Sequence, residues 1–300
     1  MTEETRLPVR ITHPDKVLFP RDGYTKSDVI EYYASVANVM LPYLRDHPLA
    51  MLRFNQGIDG ERFFHKNAPD YFPEFIGRAA MKTAKRTTMM PVVDNLEALL
   101  YIANHNCIEY HVLPVRTGDL WHPDRMVFDL DPSTEDFGLV KQAAGWLRDL
   151  LDELGLSAFV MTSGSRGLHI WVPLDGAATV EDVGEFTNAV AHVLTSRYPK
   201  ELTTEFHKQE RGDRIYVDVG RNAPGQHAVA PFSLRAKDGA PVATPIAWEA
   251  LDDAGLTPTS FALRDLPERA EAQSETWKGM RRRAKSLGPA AKKLEKAGSG

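Results

Sequence analysis

Apolar and polar positions recur along the chain with two periods, which predict a mixture of helices and short strands. From Thr25 to Leu44, apolar residues three and four positions apart follow a Thr25 N-cap with Asp28 three residues later, a pattern typical of an amphipathic helix. Similar spacing predicts helices over about 95–106 (capped by Asp94 or Asn95), 135–154 and 180–198. Strands are predicted in "LAMLRF", "TTMMPVVD", "CIEYHVLPV", "RMVFDLDPS", "LSAFVMT", "LHIWVPL", "DRIYVDVG" and "VAPFSLRA".

The order of these elements predicts the fold class. Several strands follow one another as hairpins, and others are separated by helices, so we expect an α+β fold with mixed, mainly antiparallel sheets flanked by helices. Beyond about residue 265 the apolar pattern fades. We therefore expect one domain over 1–265 and a basic, flexible tail over 266–300.

Composition narrows the class of protein. A chain of 300 residues can bury a substantial core, and no stretch approaches the roughly 20 apolar residues of a membrane span. The start, "MTEETRLPVR", lacks the basic and then apolar layout of a signal peptide. A single cysteine, Cys107, excludes an internal disulfide and a cysteine-based zinc site. We expect a cytoplasmic protein.

Charge is distributed unevenly along the chain. From Trp277 onward there are eight Lys or Arg and one acid, a net charge of +7 on a chain whose total is −5. A basic tail on an acidic body suits a polyanionic partner, although a solvated extension explains the same pattern. An acidic body also means that any nucleic-acid surface is a local patch.

The strand "RMVFDLDPS" carries two aspartates where an apolar side chain is expected. Because side chains alternate along a strand, Asp129 and Asp131 share one face. Carboxylates this close repel each other unless a cation lies between them, which indicates a metal site. In the alternative, Asp131 is the N-cap of a helix that begins at Pro132.

The strand "DRIYVDVG" repeats this anomaly with Asp218, which lies on the same face as Arg214 and Tyr216. Three acids on adjacent strands could hold two divalent cations, and ligation by oxygen alone indicates Mg²⁺ or Mn²⁺. A surface ion pair of Asp218 with Arg214 or Arg221 is the alternative.

The segment "TSGSRGLH" has the residues of an anion-binding loop between two strands. Glycines let backbone N–H groups approach an anion, and the hydroxyls and Arg166 add donors and charge that suit a triphosphate. The spacing differs from that of a P-loop, and no helix follows. A Gly-Ser hairpin turn is the alternative.

The first third of the chain offers a second set of candidates. Lys16 and Lys26, the latter just inside the first predicted helix, form a possible anion site. Phe63 and Phe64 lie in a polar setting, so one of them could be a platform for a base. In the alternative, both rings belong to the core.

In their order along the chain, these motifs resemble the polymerase domain of the bacterial ligase D family, a member of the archaeo-eukaryotic primase superfamily. The motifs are "DKVLFP", "TKSD", the Phe-Phe pair, a strand histidine, "VFDLDP", "TSGSRGLH", "VDVG" and "APFSLR", and the likeness covers residues from about 10 to 260. The resemblance implies a primase-polymerase-like catalytic core. The chain is too short to hold a ligase and a phosphoesterase as well, so it resembles a stand-alone form.

The resemblance also implies roles for individual residues. The catalytic metal ligands would be Asp129, Asp131 and Asp218. The residues that bind the incoming nucleotide would be His111, Ser163, Arg166, His169 and Arg235. The residues at the DNA, among which the two lysines bind a 5′-phosphate and the two phenylalanines stack on the template, would be Lys16, Lys26, Arg53, Phe63, Phe64, Arg211 and Arg221.

The chain departs from the family pattern at several of these places. Leu52 stands before Arg53 where a second basic residue is expected, and Arg221 stands where a neutral amide is common. The three acids show no departure.

The resemblance implies a template-directed polymerase that uses two Mn²⁺ or Mg²⁺ ions to fill gaps and extend DNA ends in non-homologous end joining, accepting and preferring ribonucleotides. Its partners would be 5′-phosphorylated DNA ends and gaps, NTP or dNTP, an end-joining ligase and an end-binding protein, with a nucleoid-associated location. One alternative is a non-catalytic DNA-end-binding module, although retention of the three acids argues against it. A metal-dependent phosphoesterase ranks last, since it needs no triphosphate site.

Overall fold

The computed structural model describes residues 7–82 and 87–297, and it mixes short strands with helices. The strands are β1 Val17–Phe19, β2 Tyr24–Thr25, β3 Leu49–Phe54, β4 Arg62–His65, β5 Gly77–Lys82, β6 Thr87–Val92, β7 Cys107–Val112, β8 Arg125–Asp131, β9 Phe159–Thr162, β10 Leu168–Pro173, β11 Leu202–Thr203, β12 Ile215–Asp218, β13 Ala228–Val229 and β14 Thr244–Ile246. The helices are α1 Lys26–Leu44, α2 Leu96–Asn104, α3 Phe137–Leu154, α4 Val180–Arg197, α5 Lys208–Arg211, α6 Ala270–Glu275 and α7 Leu287–Ala297. Within this part of the chain, no helix has both the length and the apolar character that a membrane span requires.

The chain forms two compact units, and each unit is built from several separate stretches of sequence. The first unit contains the chain up to Val112 together with Val229–Val242 and Phe261–Glu271. Its larger sheet has the order β13-β7-β3-β4, in which β3 is antiparallel to both β7 and β4. Strands β5 and β6 form a separate antiparallel pair.

Helix α1 of the first unit begins where the sequence predicts. Thr25 accepts a hydrogen bond from the backbone N–H of Asp28, and the Asp28 carboxylate accepts one from the backbone N–H of Thr25. This reciprocal cap makes Lys26 the first helical residue. One face of the helix is fully buried, as the apolar spacing predicts. The helices predicted over 95–106, 135–154 and 180–198 are confirmed as α2, α3 and α4, and Asn95 caps α2.

The second unit contains Leu113–Ala228, Ala243–Ser260 and the chain from Ala272 onward. Its sheet has the order β11-β12-β8-β10-β9-β14. Strands β11 and β12 are parallel, and the other neighbours are antiparallel. Helices α3 and α4 pack against β8, which is one of the two central strands. The predicted mixture of helices and mainly antiparallel strands is therefore confirmed.

Strand β8 is buried over its first four residues and becomes partly exposed at Asp129 and Asp131. Helix α3 begins after this strand has ended, and its N-cap is Asp136, whose side chain accepts from the backbone N–H of Leu139. The alternative in which Asp131 caps a helix is therefore wrong. Both aspartates belong to the strand, on the face that the alternation predicts.

The prediction of a strand in "VAPFSLRA" is wrong beyond its first residue, because β13 ends at Val229. Pro231 has no backbone N–H to donate to a ladder. Phe232 takes a left-handed backbone conformation with φ of 66°, which breaks the extended path. The apolar residues are nevertheless buried, so their period predicted burial but not the conformation.

The prediction of a flexible tail over 266–300 is wrong for the part of this segment that the structure describes. Trp277 is buried, and its indole N–H donates to the backbone oxygen of Val160 at 2.9 Å. Helix α7 buries Leu287, Ala290 and Leu294 and packs against α3 and α4. Because basic residues stand between these apolar positions, the period is hard to see in the sequence. The outer ends of the two predicted ranges, residues 1–6 and 298–300, lie outside the described residues.

Replacing Trp277 tests whether this C-terminal segment contributes to the folded unit. Trp277 packs against Phe159 and Trp171, with ring centroids 5.9 and 5.7 Å away. We expect Trp277→Ala to lower the free energy of unfolding by about 3–5 kcal/mol, measured by chemical denaturation. Replacing the neighbouring exposed Lys278 by Ala is the control and should cost about 1 kcal/mol or less. Equal effects of the two substitutions would contradict this account.

Candidate active site

Three carboxylates meet on one face of β8 and β12. In the antiparallel register of these strands, Asp218 lies directly opposite Asp129, and Tyr216 lies opposite Asp131. Directly opposed residues have Cβ atoms about 4.5–5.5 Å apart, so the carboxyl groups of Asp129 and Asp218 are neighbours. We call Asp129, Asp131 and Asp218 the aspartate site. The structure thus brings together the three acids that the sequence predicts.

Basic side chains contact two of these acids. Arg221 contacts both Asp129 and Asp218, with Nη2 3.1 Å from an Asp129 oxygen and 3.6 Å from an Asp218 oxygen. On strand β10, His169 stands opposite Asp129 in register, with its Nε2 3.4 Å from the carboxylate. The alternative of an ion pair between Asp218 and Arg221 is therefore correct as a contact. Arg214 instead donates to the backbone oxygens of Arg211 and Glu210.

Asp131 is paired with two other arginines. The Arg166 guanidinium donates to both of its oxygens, at 3.0 and 3.1 Å. Arg211 lies 3.5 Å from Asp131, donates to the backbone oxygens of Glu205 and Phe206, and covers the ring of Tyr216 at 3.9 Å. Arg211 is buried, so its contacts support the loop before β12 rather than an exposed DNA surface.

The charges of this site shift the pKa values of two acids in opposite directions. Burial raises the pKa of Asp129, but the charges of His169 and Arg221 and their hydrogen bonds outweigh burial and hold it well below its usual range. Burial raises the pKa of Asp218, and repulsion from Asp129 and Asp131 opposes the lowering effect of Arg221. Of these two acids, Asp129 is therefore the better compensated.

The Gly-Ser loop lies between β9 and β10. The buried Ser163 hydroxyl accepts from the backbone N–H groups of Ser165 and Gly167 at 3.2 and 3.1 Å, so these two donors serve the turn itself. A Cβ on Gly167 would lie 1.8 Å from the backbone oxygen of Leu130, so glycine alone lets β10 approach β8. The hairpin-turn alternative thus accounts for the glycine, while Arg166 remains half exposed beside Asp131.

The side chain of His169 has an unsatisfied atom. His169 is buried, and its Nδ1 makes no hydrogen bond with any residue that the structure describes. A buried polar atom without a partner is costly, so a ligand group that supplies one is favoured there.

The donor set of the aspartate site fits a hard divalent cation. Three carboxylates offer oxygen ligands alone, which is the chemistry that Mg²⁺ and Mn²⁺ prefer. As the side chains are placed, no three His, Cys, Asp or Glu groups among the described residues converge as metal ligands. The three carboxylates do not converge because Arg166 and Arg221 lie against the oxygens that a cation would need.

In the first unit, the buried carboxylate of Glu109, for which the sequence predicts no role, holds two residues that are predicted to bind the nucleotide. Glu109 on β7 accepts from Arg235 Nε at 3.1 Å and from the backbone N–H of Ala236 at 2.9 Å. The Nε2 atom of His111 lies 2.9 Å from the same carboxylate. Alternation along "CIEYHV" places Glu109 on the face of His111, but the sequence gives no sign that Arg235 returns to it.

The first unit also contains a cleft of about 820 Å³ that gathers Lys16, Lys26 and Arg53. The Lys26 ammonium is buried and donates to the backbone oxygens of Thr12 and Asn104 at 2.8 and 2.7 Å. Burial, followed by repulsion from Lys16 and Arg53, lowers the pKa of Lys26 to about 8. We call this cleft the basic cleft; it brings together the two lysines predicted to bind an anion.

The Phe-Phe pair lies on the edge strand β4 of the same unit. Phe64 is 45% exposed and Phe63 is partly buried, so the alternative that places both rings in the core is wrong. The Phe64 ring meets His111 edge to face at 6.1 Å and lies 5.8 Å from the ammonium of Lys66. An exposed aromatic ring on an edge strand is available for stacking.

The Glu109 cluster predicts how stability depends on pH. Burial alone would raise the pKa of Glu109, but Arg235, then His111 and the Ala236 N–H, lower it from 4.5 to about 2. Because the folded-state pKa is depressed, the contribution to stability is complete above about pH 4.5 and is lost as pH falls toward 2. We expect on the order of 2–3 kcal/mol from this group, measured as the free energy of unfolding against pH.

Glu109→Gln is the comparison for this pH profile. The variant should be less stable at neutral pH and should lose the part of the acid dependence that belongs to this group. Superimposable profiles of the variant and the parent would contradict the assignment.

Comparison with known proteins gives the family. The family described as "LigD, primase-polymerase domain" matches residues 25–277. The multifunctional non-homologous end joining DNA repair protein LigD of Mycobacterium tuberculosis is 35% identical over 263 residues, which are 84% of this chain and 34% of that protein. The bifunctional non-homologous end joining protein LigD of Bacillus subtilis is 32% identical over 267 residues, 88% of this chain and 43% of that protein. The chain thus spans less than half the length of these relatives.

A solved structure supports the same conclusion at the level of the fold. The polymerase domain of Mycobacterium tuberculosis ligase D, in complex with DNA, matches with a TM-score of 0.86 and 31% sequence identity, covering 93% of this chain and 100% of that one. The predicted primase-polymerase-like α+β fold is thereby confirmed. Given the fold, the three acids on two adjacent strands and the match over residues 25–277, the chain belongs to the LigD primase-polymerase domain family.

Proposed function

We propose that this chain is a template-directed nucleotidyltransferase that extends a primer 3′-OH at gaps and ends of DNA. The observation that carries the proposal is the aspartate site, in which Asp218 faces Asp129 across two strands and Asp131 shares their face. Its three carboxylates suit divalent cations, and the family to which the chain belongs is named for its polymerase. Repair of double-strand breaks by end joining is the process named for its relatives.

The aspartates have the role of holding the metal ions. Two Mn²⁺ or Mg²⁺ ions, when bound, supply Lewis-acid stabilisation of the attacking and leaving oxygens in nucleotidyl transfer. The protein's own part is to fix the three carboxylates on rigid strands, so that little reorganisation is needed during the reaction. Side chains on strands are held more precisely than side chains on loops, which favours this role.

The cations beside the aspartates have the role of binding the triphosphate. Arg166 is half exposed, and its guanidinium, whose Nη2 now donates to both oxygens of Asp131, can donate to phosphate oxygens instead. His169 contributes a buried ring nitrogen without a hydrogen-bond partner in the described structure. We infer from the family resemblance that His111 and Arg235 of the first unit contribute to nucleotide binding and that ribonucleotides are accepted and preferred.

The basic cleft has the role of binding the 5′-phosphate at the far side of a gap or break. Lys16 and Arg53 supply positive charge on the cleft wall, and Lys26 ties the chain at Thr12 to Asn104. Phe64 and its neighbour Phe63 provide an aromatic platform for a template base. An end-joining ligase and an end-binding protein are the proposed protein partners.

Primer extension on a gapped, 5′-phosphorylated duplex tests the proposed activity. With Mn²⁺, the parent should add the templated nucleotide, and faster from NTP than from dNTP. Asp129→Ala combined with Asp131→Ala should lower the rate by at least about 100-fold, because the carboxylates that hold the metal are lost. Asp149→Ala, which removes an exposed acid of α3, is the matched control and should be as active as the parent.

The outcomes of this experiment separate the rival functions. No extension by the parent, with DNA binding intact, would contradict the polymerase and favour the non-catalytic end-binding module. Loss of nucleotides from the labelled strand, dependent on the same acids, would instead favour a phosphoesterase.

Lys16→Ala tests the role of the basic cleft. Loss of a charged donor to phosphate should reduce the preference for 5′-phosphorylated over unphosphorylated gapped DNA by about tenfold, measured as a ratio of dissociation constants. Lys82→Ala, which removes an exposed lysine of β5 outside the cleft, should leave that ratio unchanged. If both variants kept the parent's ratio, the cleft would not be the phosphate site.

A further inference from the structure

Arg221 occupies the space between two carboxylates of the aspartate site. Its Nη2 and Nε atoms lie 3.1 and 3.3 Å from the same Asp129 oxygen, and Nη2 lies 3.6 Å from Asp218. The Asp129 side chain is 14% exposed, whereas the Arg221 side chain is 37% exposed. A largely shielded carboxylate is thus capped by a cation that is more exposed to solvent.

The backbone holds Arg221 at this position. Asn222 is buried, and its side chain accepts from the backbone N–H of Val127 and donates to the backbone oxygen of the same residue, both at 2.8 Å. These two bonds fasten the 3₁₀ turn Gly220–Asn222 to β8, the strand that carries Asp129. The Gly220 N–H also donates to Asp218 at 2.8 Å. Arg221 is therefore fixed to the aspartate site by its backbone, while its side chain remains able to move.

We propose that Arg221 is a resident counter-cation that competes with divalent metal for Asp129 and Asp218 and so sets the metal affinity of the nucleotide-free protein. This inference rests on the proposed function, in which the same carboxylates hold metal. A divalent cation beside Asp129 and Asp218 repels a guanidinium held at 3.1 Å from the same Asp129 oxygen. Metal binding therefore favours departure of the guanidinium from the carboxylates, and the guanidinium in place weakens metal binding.

The displaced guanidinium of Arg221 favours the binding of a triphosphate. A nucleoside triphosphate brings several anionic oxygens that a guanidinium binds well, so it offers Arg221 a new partner when the carboxylates are given to metal. Triphosphate and metal should then each strengthen the binding of the other, as reciprocal linkage requires. Arg221 thereby has a positioning role that makes metal loading depend on the substrate.

The test is Mn²⁺ binding to the full-length chain, followed by electron paramagnetic resonance of the free ion. Arg221→Gln should bind Mn²⁺ at least about fivefold more tightly than the parent without nucleotide, and its affinity should gain less from an α,β-methylene ATP analogue. Mn²⁺ bound by the analogue in buffer is subtracted.

Arg116→Gln is the matched control for Arg221→Gln. The Arg116 side chain is also 37% exposed and also pairs with a shielded aspartate, Asp124, at 3.0 Å. Its removal should leave Mn²⁺ affinity as in the parent. An Arg221→Gln affinity equal to or weaker than that of the parent would overturn the inference.

A measurement on the parent protein covers the case in which the variant does not fold. Phenylglyoxal labelling of arginines, followed by peptide mass spectrometry, should label Arg221 faster once Mn²⁺ is bound and leave Arg116 unaffected. Slower or unchanged labelling of Arg221 would overturn the inference. If the parent extends a primer but Arg221→Gln leaves the Mn²⁺ affinity unchanged, the proposed function stands and the counter-cation role fails. If Arg221→Gln binds Mn²⁺ more tightly but the parent extends no primer, the counter-cation role stands and the proposed function fails.

Discussion

Repulsion between Asp129 and Asp218, which face each other across β8 and β12, is the constraint on which the second unit depends. Like charges on directly opposed strand positions are destabilising, so this pairing needs positive charge. Arg221 supplies it at Asp129, while Arg166 and Arg211 supply it at Asp131. Helix α5 before β12, the turn after β12 and the β9–β10 hairpin each contribute one of these arginines. These three segments are thus tied to the same two strands.

In the first unit, a negative charge is compensated by burial among fixed donors. Glu109 is buried, and three donors from two stretches of chain satisfy its oxygens. A buried carboxylate with fixed donors is rigid, whereas the aspartate site keeps partial exposure and arginines whose side chains can rotate. This contrast fits a structural role for the first carboxylate and a role in exchanging ligands for the others.

Local pattern was sufficient to predict most elements and the face on which the acids lie. The capping box at Thr25, the periods of α1 to α4 and the alternation in β8 and β12 all carry their information within a few residues. Contacts between distant residues could not be predicted in this way. Neither the pairing of Arg235 with Glu109 nor the burial of Lys26 against Asn104 has a local signal. The packing of the C-terminal segment also has a weak local signal, because its buried positions are few and stand among basic ones.

The interleaving of the two units along the sequence has a consequence for synthesis on the ribosome. Glu109 leaves the ribosome 126 residues before Arg235, the residue that balances its charge, and most of the second unit is made in between. Until then the carboxylate cannot be buried without a large desolvation cost, so the β7 edge of the first sheet must remain hydrated. The first unit can therefore complete its fold only after most of the second unit has been synthesised, even though most of the residues of the first unit are made first.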